Sequence, residues 1–149
     1  MAVDVQTGVT IDRPRAEVAA YAADPDNVPA WYENIESVAW VTEKPVAVGS
    51  RIAFVARFLG GKLEYSYEIT TYAPGEELVM RTAEGPFPME TSYRWADAPG
   101  GGTVMSLRNR GESAGFSKIA APFMAVAMGR ANRKVLALLK KILEEGTGA

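Results

Sequence analysis

Neither cysteine nor histidine occurs in the 149 residues of the chain. Disulfides and thiolate nucleophiles are therefore excluded, and so are the Ser-His and Cys-His catalytic arrangements. Zinc sites of the usual kind also depend on these two residue types. We accordingly predict no metal and no cofactor, and any acid–base chemistry would have to use Tyr, Asp, Glu, Lys, Arg or bound water.

Long apolar runs and basic tracts are also missing. The run from Ile119 to Met128 has ten residues without a charge, whereas a helix needs about 20 apolar residues to cross a bilayer. The start of the chain, MAVDVQTGVT, has no apolar core segment, which argues against a signal peptide. A formal net charge of −2 argues against nucleic acid as the main partner. We expect one domain over residues 1–149, in the cytoplasm, without a transmembrane segment.

Seven segments of the chain have the composition of β-strands, because they are short, rich in β-branched and aromatic residues, and separated by Gly/Pro turns. The first is Gln6 to Ile11, and the others are IESVAWVT, RIAFVARF, KLEYSYEITTY, ELVMRTA, METSYRWAD and TVMSLRNR. After the first strand, Asp12 is predicted to cap a helix with Pro14 in its first turn. The segment DPDNVPAW then predicts a turn with a short second helix.

Four turns predict how neighbouring strands pair. A hairpin at Gly60-Gly61 sets Arg57 opposite Glu64, Phe54 opposite Tyr67 and Ile52 opposite Ile69. The turn at Pro74-Gly75 pairs Glu68 with Arg81, Ile69 with Met80 and Tyr67 with Thr82. The turn at Gly85-Pro86 pairs Arg81 with Glu90, Thr82 with Met89 and Met80 with Thr91. The 99–102 loop pairs Glu90 with Arg108, Met89 with Asn109 and Thr91 with Leu107. The result is an antiparallel sheet with one charged face and one mainly apolar face.

The apolar face needs a cover, and the C-terminal helix can supply it. Helical spacing predicts a helix with Ser117 as its cap and an end near Glu145. One face of it contains Ala121, Met124, Ala125, Met128, Asn132, Val135, Leu136, Leu139, Ile142 and Leu143. Its first half carries small and flexible residues, and its second half carries large aliphatic ones.

The order of these elements and four short motifs resemble the helix-grip superfamily. The motifs are D-P-x-x-x-P-x-W (Asp24 to Trp31), K-P-x-x-x-G (Lys44 to Gly49), Y-x-P-G-x-x-L (Tyr72 to Leu78) and G-G-T-x-x-x-L (Gly101 to Leu107). The superfamily is also called SRPBCC or START-like. The chain is most similar to its small bacterial members of the polyketide cyclase/dehydrase type, and the similarity covers nearly the whole sequence.

The resemblance implies an α+β helix-grip fold. In that fold a curved seven-stranded antiparallel sheet wraps around the long C-terminal helix, and two short helices follow the first strand. It also implies an apolar cavity between sheet and helix that receives a hydrophobic small molecule. The alternative is that bulky side chains fill this space, namely Phe54, Phe58, Tyr65, Tyr67 and Trp95.

If the cavity is open, its ligand-binding residues are predicted from the inner faces of the sheet and the helix. They are Phe54, Tyr65, Tyr67, Met80, Thr82, Met89, Thr91, Tyr93, Leu107, Asn109, Met124, Met128 and Asn132. Pockets of this kind are mostly apolar with a few convergent polar groups. Alternatively, the asparagines and tyrosines only satisfy one another or the backbone.

Three functions remain open from the sequence. The favoured one is a non-catalytic carrier for a lipid-, aromatic- or polyketide-like molecule. A polyketide aromatase/cyclase is the enzyme alternative, with Tyr67 and Glu112 as the catalytic candidates, although the inner arginine common in such relatives is missing from the predicted pocket. The third is a chaperone-linked or scaffold module. It would use Phe123 and Val126, which lie on the helix face opposite the core and could instead form an entrance, a homodimer contact or internal packing.

Overall fold

The computed structural model describes residues 2–32, 34–58, 61–84, 88–112 and 121–146. Seven antiparallel strands form one sheet in the spatial order β1-β7-β6-β5-β4-β3-β2. They are β1 (Ala2–Ile11), β2 (Ile35–Trp40), β3 (Arg51–Phe58), β4 (Gly61–Ala73), β5 (Glu77–Glu84), β6 (Met89–Asp97) and β7 (Thr103–Glu112). The helices are α1 (Arg15–Ala22), a 3₁₀ helix (Pro25–Asn27), α2 (Val28–Trp31) and α3 (Ala121–Gly146). This is the predicted helix-grip architecture, with the sheet curled around the long helix and the two short α-helices after the first strand.

The strands form where residues alternate between the two faces of the sheet, as β6 illustrates. Thr91, Tyr93 and Trp95 are buried on its inner side, whereas Glu90 and Arg94 point outward. An alternation with a period of two is what a sheet wetted on one face requires. The outer charges pair across strands, as in Arg94 with Glu77 and in Glu90 with both Arg81 and Arg110. The predicted charged face is therefore confirmed.

The predicted register is confirmed in the middle of the sheet and wrong near two of its turns. Strands β4 and β5 pair Glu68 with Arg81, and β5 pairs Arg81 with Glu90, as expected. Gly75 provides the turn between β4 and β5 with a φ of 80°, a conformation that favours glycine. At the other two turns the partners are displaced by two residues. The observed pairs there are Phe54 with Tyr65, Ile52 with Tyr67, Glu90 with Arg110 and Thr91 with Asn109.

A displacement of two residues leaves every side chain on its predicted face, because the side-chain period of a strand is two. Only the partners change. Arg57 forms its ion pair with Glu36 on β2 instead of with Glu64, and Arg108 pairs with Asp4 on β1 instead of with Glu90.

The second half of α3 packs against the sheet along the predicted stripe. Val135, Leu136, Leu139 and Leu143 are each at most 2% exposed. Burying such side chains contributes roughly 1.5–3 kcal/mol each. The described residues exclude the whole segment 113–120, and with it the predicted Ser117 cap. They also exclude the side chains of residues 121–125, and with them those of Phe123 and Met124.

The turn between β1 and α1 caps the end of α3, which corrects the prediction for Asp12. Pro14 occupies the N-cap of α1 without a side-chain hydrogen bond. The Asp12 backbone N–H instead donates to the Glu144 carboxylate at 2.7 Å. The Arg13 guanidinium donates to the carbonyls of Leu143 and Glu144, at 2.9 and 3.1 Å. Carbonyls in the last turn of a helix have no partner within the helix, and a cation there also favours the helix dipole.

Within the described residues, none of the helices is both apolar enough and long enough to span a membrane.

Candidate functional site

A cavity of about 100 Å³ lies between the concave face of the sheet and α3. A cavity needs only about 10–15 Å³ on such a scale to hold a water molecule, and one of about 150 Å³ can bind benzene. The space therefore accommodates several waters or a small apolar group. Of the bulky side chains that were the alternative filling, Phe54, Tyr65 and Tyr67 form the wall of this space and Trp95 lies in the packed core. The side chain of Phe58 lies outside the described residues.

All but two of the predicted ligand-binding residues line this cavity. From the sheet these are Phe54, Tyr65, Tyr67, Met80, Thr82, Met89, Thr91, Tyr93 and Asn109, and from α3 they are Met128 and Asn132. Leu107 is not among the described lining residues: it is 0% exposed and lies in the packed core. The side chain of Met124 lies outside the described residues.

The sequence-based prediction missed part of the wall, which comes from the segment after α1, from the neighbouring strands and from one position on α3. These residues are Val28, Tyr32, Asn34, Ile35, Ala56, Leu63 and Ala131. Ala56 and Leu63 lie on the same face as Phe54 and Tyr65, so strand alternation was enough to find them. Tyr32 and Asn34 follow the Asp24 to Trp31 motif. That motif predicted a short helix at this point of the chain, but it did not show which side chains after the helix face the cavity.

Three aromatic rings form one side of the cavity. The Phe54 and Tyr65 rings are stacked, with centroids 5.5 Å apart and an interplanar angle of 25°. Tyr67 lies 5.6 Å from Phe54 at 65° and 5.0 Å from Tyr65 at 56°. Offset and edge-to-face contacts of this kind stabilise aromatic pairs beyond their burial. They hold the wall in a fixed shape without filling the space beside it.

A chain of hydrogen bonds crosses the floor of the cavity. The Thr91 hydroxyl donates to Asn109 Oδ1 at 2.9 Å, and the Tyr67 hydroxyl lies 3.0 Å from Thr91 Oγ1. Because a threonine hydroxyl has a single proton, Tyr67 must be the donor in the second bond. Tyr32 donates to Asn132 Oδ1 at 3.3 Å and so links α2 to α3. Thr82 is satisfied by the backbone of Met89, at 2.9 and 3.1 Å.

None of the described residues that line the cavity carries a charge at neutral pH. Burial raises the pKa of Tyr65, Tyr67 and Tyr93 well above the ordinary value of a phenol. It also raises the pKa of Tyr32, against a smaller opposing effect of the hydrogen bond from Asn109. A phenol with a raised pKa remains protonated at neutral pH and cannot act as a general base there. The predicted candidate Glu112 ends β7, and its side chain lies outside the described residues.

These raised pKa values predict how the protein responds to alkali. The unfolded chain loses its phenolic protons at about pH 10, before the folded chain does, so stability should fall as the pH rises above that value. Phenolate absorbance from the four cavity tyrosines should therefore increase only together with unfolding, as followed by circular dichroism. Tyr65→Phe should make the loss of stability with pH less steep. Ionisation of all six tyrosines near pH 10 in a protein that remains folded would contradict this expectation.

The curled sheet, the long helix and the cavity between them define the helix-grip class of proteins. Residues 2–144 match the family described as polyketide cyclase/dehydrase and lipid transport, and the chain belongs to that family. A search of curated protein sequences finds no relative. Val126, which was predicted to point away from the core on α3, is 60% exposed.

Solved structures with low sequence identity share the fold. The aromatase/cyclase ZhuI from Streptomyces sp. R1128 is 16% identical, with a TM-score of 0.80 over 97% of this chain and 94% of its own. A START superfamily protein from Mycobacterium smegmatis is 12% identical, with a TM-score of 0.81 over 95% and 97%. The protein TTHA0849 from Thermus thermophilus is 20% identical, with a TM-score of 0.79 over 93% and 94%. At these identities the similarity establishes the fold and leaves the activity to the site itself.

Proposed function

We propose that the protein is a non-catalytic binding or carrier protein for a hydrophobic small molecule. The observation that carries this proposal is the cavity of about 100 Å³, which has aromatic and aliphatic walls and no charged residue among its described lining. An apolar guest gains roughly 25 cal/mol for each Å² of apolar surface that it removes from water. The family's description, which includes lipid transport, supports the same function.

The family also includes polyketide cyclases, and an aromatase/cyclase shares the fold. Cyclisation needs a group that removes or donates a proton at the reacting carbon. The cavity offers phenols with raised pKa values, and the Tyr67 hydroxyl is engaged with Thr91. These features favour binding over catalysis.

We further propose that the protein acts in the cytoplasm.

A thermal-shift series tests the proposal, using apolar compounds graded from single aromatic rings to fatty acids and flavonoids. A ligand at 100 times its dissociation constant stabilises the folded state by about 2.7 kcal/mol. For a chain of this length that corresponds to a rise in Tm of about 5–10 °C. Native mass spectrometry of protein purified from its own host would detect a ligand that it carries. No stabilising compound and no co-purified molecule would together contradict the proposal.

A further inference from the structure

Two asparagines in the cavity wall have side-chain atoms without a hydrogen-bond partner among the described residues. Asn132 is 2% exposed, and its Nδ2 is buried without an acceptor. Asn34 has a buried Oδ1 without a donor. Both residues line the cavity. Buried polar groups are nearly always satisfied, and leaving one unpaired is costly, so an unsatisfied pair facing an internal space indicates a missing partner in that space.

The orientation of the Asn132 amide follows from its neighbours. The Tyr32 hydroxyl donates its proton to Asn132 Oδ1 at 3.3 Å. Because this hydrogen bond engages its oxygen, Asn132 presents its two amide N–H donors to the cavity. The missing partner beside Asn132 is therefore a hydrogen-bond acceptor.

A carboxylate is a poor candidate for that acceptor. No lysine or arginine is among the described residues of the wall, so an ionised ligand would be buried without an opposite charge. Burying an unpaired charge costs far more free energy than one amide hydrogen bond returns. An uncharged oxygen, in contrast, pays only the smaller desolvation cost of a carbonyl or hydroxyl group.

We infer that Asn132 and Asn34 form a neutral recognition site that selects an uncharged ligand with a carbonyl or hydroxyl oxygen over pure hydrocarbons and over carboxylates. This inference rests on the proposed binding function and specifies its ligand class. Asn132 donates to the ligand oxygen. A ligand hydroxyl in addition provides the proton that Asn34 Oδ1 accepts, whereas a ketone satisfies Asn132 alone.

Four single-ring compounds of similar size test this site: ethylbenzene, acetophenone, 1-phenylethanol and benzoate. Dissociation constants at neutral pH would come from titrations followed by ¹H–¹⁵N NMR, in which the Asn132 side-chain amide signals report contact directly. We expect acetophenone and 1-phenylethanol to bind about tenfold more tightly than ethylbenzene, the ratio that one satisfied buried group provides. Benzoate should bind most weakly, and only the oxygen-containing neutral ligands should shift the Asn132 side-chain signals.

Variants assign the preference to its residues. Asn132→Leu should bring acetophenone and ethylbenzene within about twofold of each other, because the donor is lost. Since this change also removes the partner of Tyr32, the double variant Tyr32→Phe/Asn132→Leu repeats the test without an orphaned hydroxyl. Asn34→Leu is the matched control: the advantage of acetophenone should persist, while any extra affinity of 1-phenylethanol disappears.

The outcomes separate this inference from the proposed function. Equal affinities for ethylbenzene and acetophenone would overturn the inference and leave the binding function intact; this is the result expected if ordered water satisfies both amides. Tighter binding of benzoate than of acetophenone would overturn it as well. Failure of all four compounds to bind the wild-type protein would count against the proposed function, and the inference would fall with it.

Discussion

Ala131→Phe should lower the affinity for any ligand in the cavity by about a hundredfold or more, equivalent to about 2.7 kcal/mol. Ala131 lies on α3 and contributes to the cavity wall. A benzyl group attached there would extend into a space of only about 100 Å³ and occupy the position of a guest. The protein should still fold, since overpacking typically costs about 1–3 kcal/mol. The measurement is a titration with the tightest ligand from the thermal-shift series.

Ala137→Phe is the matched control, because it makes the same substitution on the same helix. Ala137 is exposed, so the added ring has no cavity to enter, while the change in helix propensity is identical. Affinity in this variant should stay within about twofold of the wild type. If Ala131→Phe bound ligand as tightly as Ala137→Phe, the cavity between sheet and helix would not be the binding site.

The faces of the sheet were predictable from the sequence, whereas the exact partners were not. Alternation assigns Tyr65, Tyr67 and Thr91 to the inner face whatever the length of the turn, because the side-chain period is two. Partners depend on how many residues the turn consumes. The Gly60-Gly61 signal predicted Phe54 opposite Tyr67, but the strands pair Phe54 with Tyr65. A composition signal locates a turn without fixing its length.

The cavity wall on the sheet was predictable for the same reason, and the wall outside the sheet was not. Leu107 lies on the predicted inner face but in the packed core. Alternation assigns a residue to one face of the sheet, but it does not show which residues of that face reach the cavity. Tyr32 and Asn34 follow a very short helix, where neither a period of two nor one of 3.6 applies. Their contacts with the cavity depend on tertiary packing, which local sequence patterns do not contain.

The unpaired amide of Asn132 illustrates the same limit for chemistry. Helical spacing correctly predicted that Asn132 points into the core, where it is 2% exposed. Whether it is satisfied there depends on Tyr32, which is 100 residues away in the chain. The sequence therefore left a structural and a ligand-binding role equally open. The three-dimensional arrangement is what shows one atom of the side chain engaged and the other without a partner among the described residues.

Trp31→Ala should destabilise the protein by about 3–5 kcal/mol, the range for truncating a buried aromatic residue. Trp31 is 0% exposed and is the last residue of α2. Its ring packs on Tyr32 and Tyr93, with centroid distances of 5.5 and 5.7 Å, and both of these tyrosines line the cavity. Removing the indole therefore leaves a void directly behind the cavity wall. Urea unfolding followed by far-ultraviolet circular dichroism measures the loss independently of tryptophan fluorescence.

Two further variants identify the cause. Trp31→Phe should cost much less, because it keeps an aromatic ring against the tyrosines and removes an indole N–H that is buried without a partner among the described residues. Trp40→Ala controls for the loss of a tryptophan as such. Trp40 is only partly buried at the edge of the core, and its indole N–H donates to Asp26 at 2.9 Å near the surface, so its removal should cost about 1–2 kcal/mol, less than that of Trp31. A loss for Trp31→Ala no larger than that for Trp40→Ala would show that the indole does not support the wall.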